Sequence, residues 1–408
     1  MRDSRQPLKA YRFLVAGQRL FSLFLRGCLG AAIGLAVLEG ILRVNPGLLL
    51  RGMALPAPVD APITTRDYDI YNSDADLFFW SPELVRPIAP QAKRVEVHVH
   101  YETDEFGFPN AAPLSPTVDV VVLGRSYSMG AQATDPWPRQ LERATGWRVL
   151  NLSQQGSGID IKYGYWRDFA APRRPRWVIL ETLPSMDIWN YSPAPSLLVQ
   201  GLPVPLIQQF AREKNPNSSE RSGQIYPLKV DIPGRQVELT FFFHYLSALS
   251  INRDTMLTSS YWSRYKQIMT QLVEAVRSES ACVALLYVPT KENIYFPLAV
   301  HPVQLEAVLA SLLSVQSTAK DSEPKTETPL TISSMQKNAD VARGLVGMLA
   351  MEYGAPFIDP TERLTQSALS GIDPFMSYDT HWSAAGHRIV SDLVAETLSN
   401  HPCSPSGR

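Results

Sequence analysis

The residue types that could do chemistry stand in a set order along this chain. Ser126 lies in Gly124-Arg125-Ser126-Tyr127-Ser128, just past the apolar run Val120-Val121-Val122-Leu123. Near the C-terminus, Asp379-Thr380-His381 puts a carboxylate and an imidazole two residues apart, followed by Trp382 and Ser383-Ala384-Ala385-Gly386-His387. A serine hydroxyl is a poor nucleophile until a base takes its proton, and imidazole titrates near neutrality. A carboxylate on the other ring nitrogen fixes the tautomer and stabilises the imidazolium. Ser126, His381 and Asp379 are therefore the candidate catalytic residues of an acyl-transfer reaction through an activated hydroxyl. The backbone N–H of Ser126 and that of Gly156 or Gly158, past the next strand-like run, are the candidate oxyanion donors. Arg125, Tyr127 and Trp382 flank the triad and are the candidate substrate-binding residues, with Arg125 a permanent cation beside the nucleophile. Each feature has a plainer reading: Ser126 as a helix N-cap, Asp379 and His381 as a solvated loop. His387 is expected on the exposed side of the last helix.

Such residues need a frame that brings them together. Val120–Leu123 reads as a buried strand. Trp137–Gly146 then reads as a helix with a glycine cap, Trp147–Leu152 as a strand, Ile159–Phe169 as a helix and Trp177–Thr182 as a third strand. This β-α-β-α-β pattern predicts a parallel sheet with covering helices. Further on come a helix over 261–276, a fourth strand over 281–289, a helix over 339–351, a short strand at 357–359 and a final helix over 383–398. In an open α/β sheet, ligands bind beyond the carboxyl ends of the strands, which is where Ser126 falls. Residues 193–243 have poor periodicity and read as an insertion, and 315–330 as a flexible loop. Ahead of this domain, 46–116 reads as a connector with one alternating strand at Arg94–Tyr101. His98 and His100 share a face of that strand, but with no third ligand nearby they read as solvated, and no metal site is expected.

The first 45 residues have another character. Arg2, Arg5, Lys9, Arg12, Arg19 and Arg26 are opposed only by Asp3. Counted from Leu20, an apolar span of about 23 residues, interrupted by Arg26 and Glu39, compares with the roughly 20 that a bilayer core needs. The basic flank predicts a single-pass inner-membrane anchor with a cytoplasmic N-terminus and an exported, periplasmic main domain. A cleaved signal peptide is the rival, and Glu39-Gly40-Ile41-Leu42-Arg43 is a poor cleavage site for it. Over the whole chain, 45% of residues are hydrophobic, 19% are charged and the net charge is −1. That composition is ordinary for a globular protein and gives no global pull towards nucleic acid. The three cysteines, Cys28, Cys282 and Cys403, form no framework. A Cys282–Cys403 bond is one pairing left open, since spacing alone cannot show it. No glycine-rich phosphate loop and no cofactor motif is present, so no cofactor is expected.

Taken as an ordered set, these residues resemble the SGNH (GDSL-type) hydrolase superfamily, and within it the membrane-associated branch of alginate O-acetyltransferases of the AlgX and AlgJ kind. Gly124-Arg125-Ser126-Tyr127-Ser128 resembles the nucleophile block. Asn151-Leu152-Ser153-Gln154-Gln155-Gly156-Ser157-Gly158 is similar to the second block, whose glycine serves the oxyanion. Val178-Ile179-Leu180-Glu181-Thr182-Leu183-Pro184 and Val288-Pro289-Thr290-Lys291-Glu292-Asn293-Ile294-Tyr295 look like strands and turns of the acetyltransferase branch, and Asp379-Thr380-His381-Trp382-Ser383 is the most specific match. The resemblance covers residues 117–400. It implies a flavodoxin-like three-layer α/β/α domain, preceded here by the transmembrane helix, with Ser126 as nucleophile, His381 as base and Asp379 as its orienter. The organisation is then 1–45 tail and anchor, 46–116 connector, 117–400 catalytic-type domain and 401–408 tail. Implied function is O-acyl transfer or hydrolysis on a cell-surface polysaccharide, with a membrane-bound acyl donor protein as a further partner. The alternative is a non-catalytic carbohydrate-binding or assembly subunit with the same fold. Two departures bear on the choice. Arg125 replaces the Asp or Thr before the serine, a cation that reads either as a binder of an anionic sugar or as the mark of a drifted hydrolytic site, and Met186 stands where the third block has an oxyanion asparagine, leaving Gln155 or Asn190 as helpers.

Overall fold

The structure is a computed structural model that describes residues 65–71, 95–189 without 105, 155 and 156, 228–301, 305, 306, 309 and 330–403 without 378, together with 27, 30, 33 and 34. All but those last four belong to the unit formed by Met53–Tyr191 and Pro216–Arg408. Its strands are β1 (Thr65–Tyr71), β2 (Val95–Glu102), β3 (Val120–Leu123), β4 (Val149–Asn151), β5 (Trp177–Thr182), β6 (Leu228–Ile232), β7 (Arg235–Leu239), β8 (Cys282–Tyr287) and β9 (Phe357–Ile358). Its helices are α1 (Ser126–Met129), α2 (Trp137–Thr145), α3 (Ile159–Tyr165), α4 (Phe243–Leu249), α5 (Arg253–Thr258), α6 (Ser260–Ser278), α7 (Lys291–Leu298), α8 (Ile332–Asn338), α9 (Val341–Glu352), α10 (Thr361–Leu369) and α11 (Ala384–Asn400).

The central sheet runs β4-β3-β5-β8-β9, with every pair parallel. Numbered among themselves, the five strands lie in the order 2-1-3-4-5, which is the flavodoxin-like doubly wound order. β3 and β5 are buried at every position, as strands covered on both faces must be. In parallel sheets crossovers are right-handed as a rule, and under that rule a reversal of winding such as the one between β3 and β5 sends helices to opposite faces. α2 packs on α11, and α3 packs on α6. One core joins Val120, Val122, Ile179, Ala284 and Leu286 of the sheet to Tyr127, Trp137, Trp382, Val390 and Val394. The switch point of this order lies between the carboxyl ends of β3 and β5.

Elsewhere the expectations need amending. The stretch of poor periodicity read as an insertion over 193–243 contains an antiparallel hairpin, β6–β7, closed by Pro233-Gly234 with Gly234 at φ 84°. That is the turn chemistry of a proline followed by a glycine with positive φ. The part of the insertion before the hairpin, 193–227, lies outside the described residues, as does most of the loop at 315–330. In the connector, β2 is present and is paired with β1, in register from Thr65↔Glu102 to Ile70↔Val97. Cys282 and Cys403 form a disulfide, with Cα atoms 5.8 Å apart, which ties the tail to the amino end of β8. Among the described residues, no helix is long and apolar enough to cross a membrane. The expected anchor itself lies outside them, save for Gly27, Gly30, Ile33 and Gly34, which are helical and exposed.

Candidate active site

Ser126 opens α1, directly after β3 and the extended Gly124-Arg125 link. As the first residue of a helical turn it has no intrahelical acceptor for its own N–H, the position an oxyanion donor occupies. The turn is tight because three groups crowd Gly124. A Cβ there would lie 2.5 Å from Ser153 Oγ, 2.6 Å from Glu181 Oε2 and 2.7 Å from Ser128 Cβ. Only glycine lets β3 turn into α1 in this space.

The loop that carries Asp379 and His381 is pinned at its base. Phe375 bridges Trp382, Met376 N–H donates to the His381 carbonyl at 3.0 Å, and Ser383 N–H donates to the Pro374 carbonyl at 2.9 Å. Ser383 caps α11 by accepting from Gly386 N–H, and Gly386 is obligatory because a Cβ would sit 2.2 Å from the Pro374 carbonyl oxygen. Within the loop, Asp379 Oδ1 accepts from the His381 backbone N–H at 2.8 Å and contacts His381 Nδ1 at 2.5 Å. An ionised carboxylate can only accept, so Nδ1 carries the proton and Nε2 keeps the lone pair that a general base needs. Burial pushes the Asp379 carboxyl up, but the charge and hydrogen bonds of His381 and the charge of Lys291 outweigh it and hold it below the ordinary carboxylate range. Lys291, at the start of α7, also grips the loop, with Nζ donating to the carbonyls of Ser377 at 2.9 Å and Thr240 at 3.2 Å.

The two halves of the site meet through Tyr127. Its hydroxyl donates to the Thr380 carbonyl at 2.7 Å, and its ring centroid lies 4.8 Å from that of His381. The residue after the candidate nucleophile thus packs on the candidate base. Ser126 is 8% exposed, Asp379 and His381 2% each.

The three residues expected to bind substrate have other places. Tyr127 and Trp382 are fully buried, with rings 5.0 Å apart in an edge-on contact; they form the wall behind the site. Arg125 is also buried, and its Nη1 donates to Asp187 Oδ1 at 2.8 Å. Its charge is matched inside the protein and is not offered to a ligand. His387 is buried too, contrary to the expected exposure. Its Nδ1 accepts from Trp137 N–H at 3.3 Å, and burial, with a smaller contribution from His381, pushes it down to about 3, so it is neutral. Met186 is half-buried against the core and supplies no donor at the asparagine position. Gly156, Gln155 and Asn190 lie outside the described residues.

Sequence reasoning missed a buried cluster beneath Ser126. Lys162 of α3 and Asp187 are both fully buried, with Nζ 3.4 Å from Oδ2. Lys162 Nζ also donates to the Glu181 carbonyl oxygen at 2.5 Å, and Asp187 Oδ2 accepts from Leu183 N–H at 2.8 Å. Asp187 reaches this position from a single π-helical turn, Ser185–Trp189. Two cations, Arg125 and Lys162, face two carboxylates, Glu181 and Asp187. Desolvation lowers the Lys162 ammonium and raises the Glu181 carboxyl from their ordinary values, while the opposite charges of the cluster pull each back. The sequence signal was faint: a lysine in a helix and an aspartate after Met186. Among the described residues, no group of histidine, cysteine and acidic side chains could hold a metal ion.

No protein-family model and no curated protein matches the chain. Similar solved structures include an acetyl xylan esterase (9% identity, TM-score 0.35, covering 69% of this chain and 100% of that one). A GDSL-like lipase from Bacteroides thetaiotaomicron shares 11% identity at a TM-score of 0.34, covering 71% of this chain and 92% of that one. A catalytic mutant of an acetylxylan esterase from Geobacillus stearothermophilus shares 14% identity at a TM-score of 0.35, covering 70% and 95%. The chemistry assigned to this chain rests on its own site geometry.

Proposed function

We propose that this chain is a serine-dependent O-acyltransferase or acyl-esterase acting on a cell-surface polysaccharide. The observation that carries the reading is the Asp379–His381 pair, with its proton on Nδ1, packed through Tyr127 against the turn that bears Ser126. Ser126 Oγ attacks the acyl carbonyl while its proton passes to His381 Nε2. The N–H of Ser126 supports the developing oxyanion. The leaving alcohol takes the proton from His381, and the acyl group stays on Ser126. A second hydroxyl, from water or from a sugar, then gives its proton to His381 and bonds to the acyl carbon; the bond to Ser126 Oγ breaks, and His381 returns the proton to Oγ. Transfer and hydrolysis share this acyl-enzyme and differ only in the acceptor; the resemblance of residues 178–184 and 288–295 to the acetyltransferase branch supports a membrane-bound acyl donor protein as a partner where the acceptor is a sugar hydroxyl. Export to the periplasm behind an N-terminal anchor is part of the proposal. The basic flank before the apolar span supports it, and so does the Cys282–Cys403 bond, because disulfides persist in oxidising compartments.

A second reading, a carbohydrate-binding subunit without turnover, is favoured by Met186, which leaves one expected oxyanion donor unfilled. Labelling with a fluorophosphonate decides between the two. Wild type is expected to label and to form an acyl-enzyme from p-nitrophenyl acetate. Ser126→Ala should abolish both with little change in thermal midpoint. His381→Ala should lose activity to a similar extent, since nucleophile and base act as one unit, and Asp379→Asn should retain more. Labelling that survives Ser126→Ala would identify another nucleophile. A folded wild type inert to several acyl donors would leave the binding reading.

A further inference from the structure

We propose that Glu181 is the positioning residue of the nucleophile: its one carboxylate grips the chain on both sides of Ser126 and sets where Oγ points. The proposal deepens the acyl-enzyme reading and rests on it for the role of Ser126. Oε1 accepts from the Arg125 backbone N–H at 3.0 Å. Oε2 accepts from the Ser128 hydroxyl. The residue before Ser126 and the residue two after it are thus held by the two oxygens of a single rigid fork.

The direction of each bond follows from the chemistry. Ser128 Oγ accepts from the Trp137 indole Nε1–H at 3.0 Å. An indole only donates, so the single hydroxyl proton of Ser128 is free to point at Glu181. The relay runs from Trp137 to Ser128 to Glu181 and ties the first residue of α2 to the turn. The Ser128 carbonyl in turn accepts from Asn151 Nδ2 at 2.7 Å. A glutamine at 181 could serve one of the two partners as acceptor but would present a donor to the other. A carboxylate serves both.

The fork itself is fixed. Glu181 lies in β5, opposite Leu286 of β8, and its main-chain oxygen accepts from Lys162 Nζ. Lys162 and Arg125 balance the charges of Glu181 and Asp187, so the carboxylate can stay buried beneath the turn. Gly124 leaves the space in which the carboxylate meets the turn. These contacts put Glu181 in touch with the residues that flank Ser126 and not with the reacting atoms, so its role is to position.

The experiment compares Glu181→Ala, Glu181→Gln and Ser128→Ala with wild type in full-length protein. It reads fluorophosphonate labelling rate, kcat and KM on p-nitrophenyl acetate, and amide exchange over residues 124–129 against the rest of the sheet. Glu181→Ala is expected to slow labelling by about a hundredfold, the scale of a small displacement of a reacting group. KM should stay within about threefold, since substrate binding is untouched. Exchange should rise at 124–129 and stay unchanged in β5 and β8. Glu181→Gln should recover part of the labelling rate, and Ser128→Ala should fall between Gln and wild type. If Glu181→Ala does not fold, Gln and Ser128→Ala carry the comparison alone. Labelling within about threefold of wild type in the folded variants would overturn the proposal, and so would an exchange increase spread evenly over the sheet. If wild type itself is inert, the acyl-enzyme reading fails, and the exchange arm still decides whether Glu181 holds the turn.

Discussion

At the scale of single residues, the candidate nucleophile and base belong to two local segments far apart in the chain. Ser126 follows a continuous valine strand, and Asp379 and His381 are two residues apart before a capped helix. Arg125 was misread because the group that matches it lies 62 residues away, on a π-helical turn that no periodicity announces. Its cation reads from sequence as a lure for anionic substrate and in the fold is half of a buried pair. This changes the outcome expected of Arg125→Met. The substitution leaves Asp187 buried with one partner fewer, at a cost of about 3–5 kcal/mol. Denaturant unfolding should show that loss, and kcat/KM should drop equally for a neutral and an anionic ester at low and high salt. A drop confined to the anionic ester at low ionic strength would return Arg125 to the substrate side of the site.

At the scale of elements, the strands and long helices of the sheet domain were readable from apolar runs and glycine caps, and their order led to the doubly wound topology. The β6–β7 hairpin was readable too, since Lys229–Leu239 alternates about a Pro-Gly pair, but it was hidden inside a longer aperiodic stretch. His387 shows the limit of facing arguments. A histidine four residues into α11 looks solvated until α2 packs over it and Trp137 donates to it. That packing has a consequence in acid. Unfolded, His387 takes a proton near pH 6.5, an ordinary imidazole value; folded, it resists down to about 3. Between those values the unfolded state binds more protons, so stability falls as pH drops, by roughly 1.4 kcal/mol per unit from this group. Glu292 of α7 works the other way. Burial pushes its carboxyl up to about 7, so the folded state holds the proton more tightly and stability falls as pH rises from about 4.5 to 7. Urea unfolding across pH 3–7 should therefore show a shallower acid loss in His387→Gln than in wild type. Parallel curves would mean that His387 is protonated in the fold.

At the scale of the whole molecule, the strands of a parallel sheet all end on one edge, and the protein separates its chemistry from its fastening along them. Ser126 follows the carboxyl end of β3, while Cys282 begins β8 at the opposite edge. Cys403, beyond the end of α11, bonds to Cys282 there, and its sulfur lies 3.3 Å from the Arg176 carbonyl oxygen just ahead of β5. The bond spans a sequence separation of 121 and closes a loop that contains β8, β9 and the Asp379–His381 segment. A loop of that length removes chain entropy from the unfolded state worth about 4–5 kcal/mol. It constrains the register of the last helix and, through Ser383, the base of the loop that bears the imidazole. Because the bond lies at the far edge, its loss should act on stability and not on the chemical step. Cys403→Ser is expected to lower the thermal midpoint by several degrees or more, and reductant should do the same to wild type but not to the variant. Fluorophosphonate labelling at 25 °C should proceed at the wild-type rate in the folded fraction of both. A slowed labelling rate with an unchanged midpoint would show instead that the bond sets the position of His381.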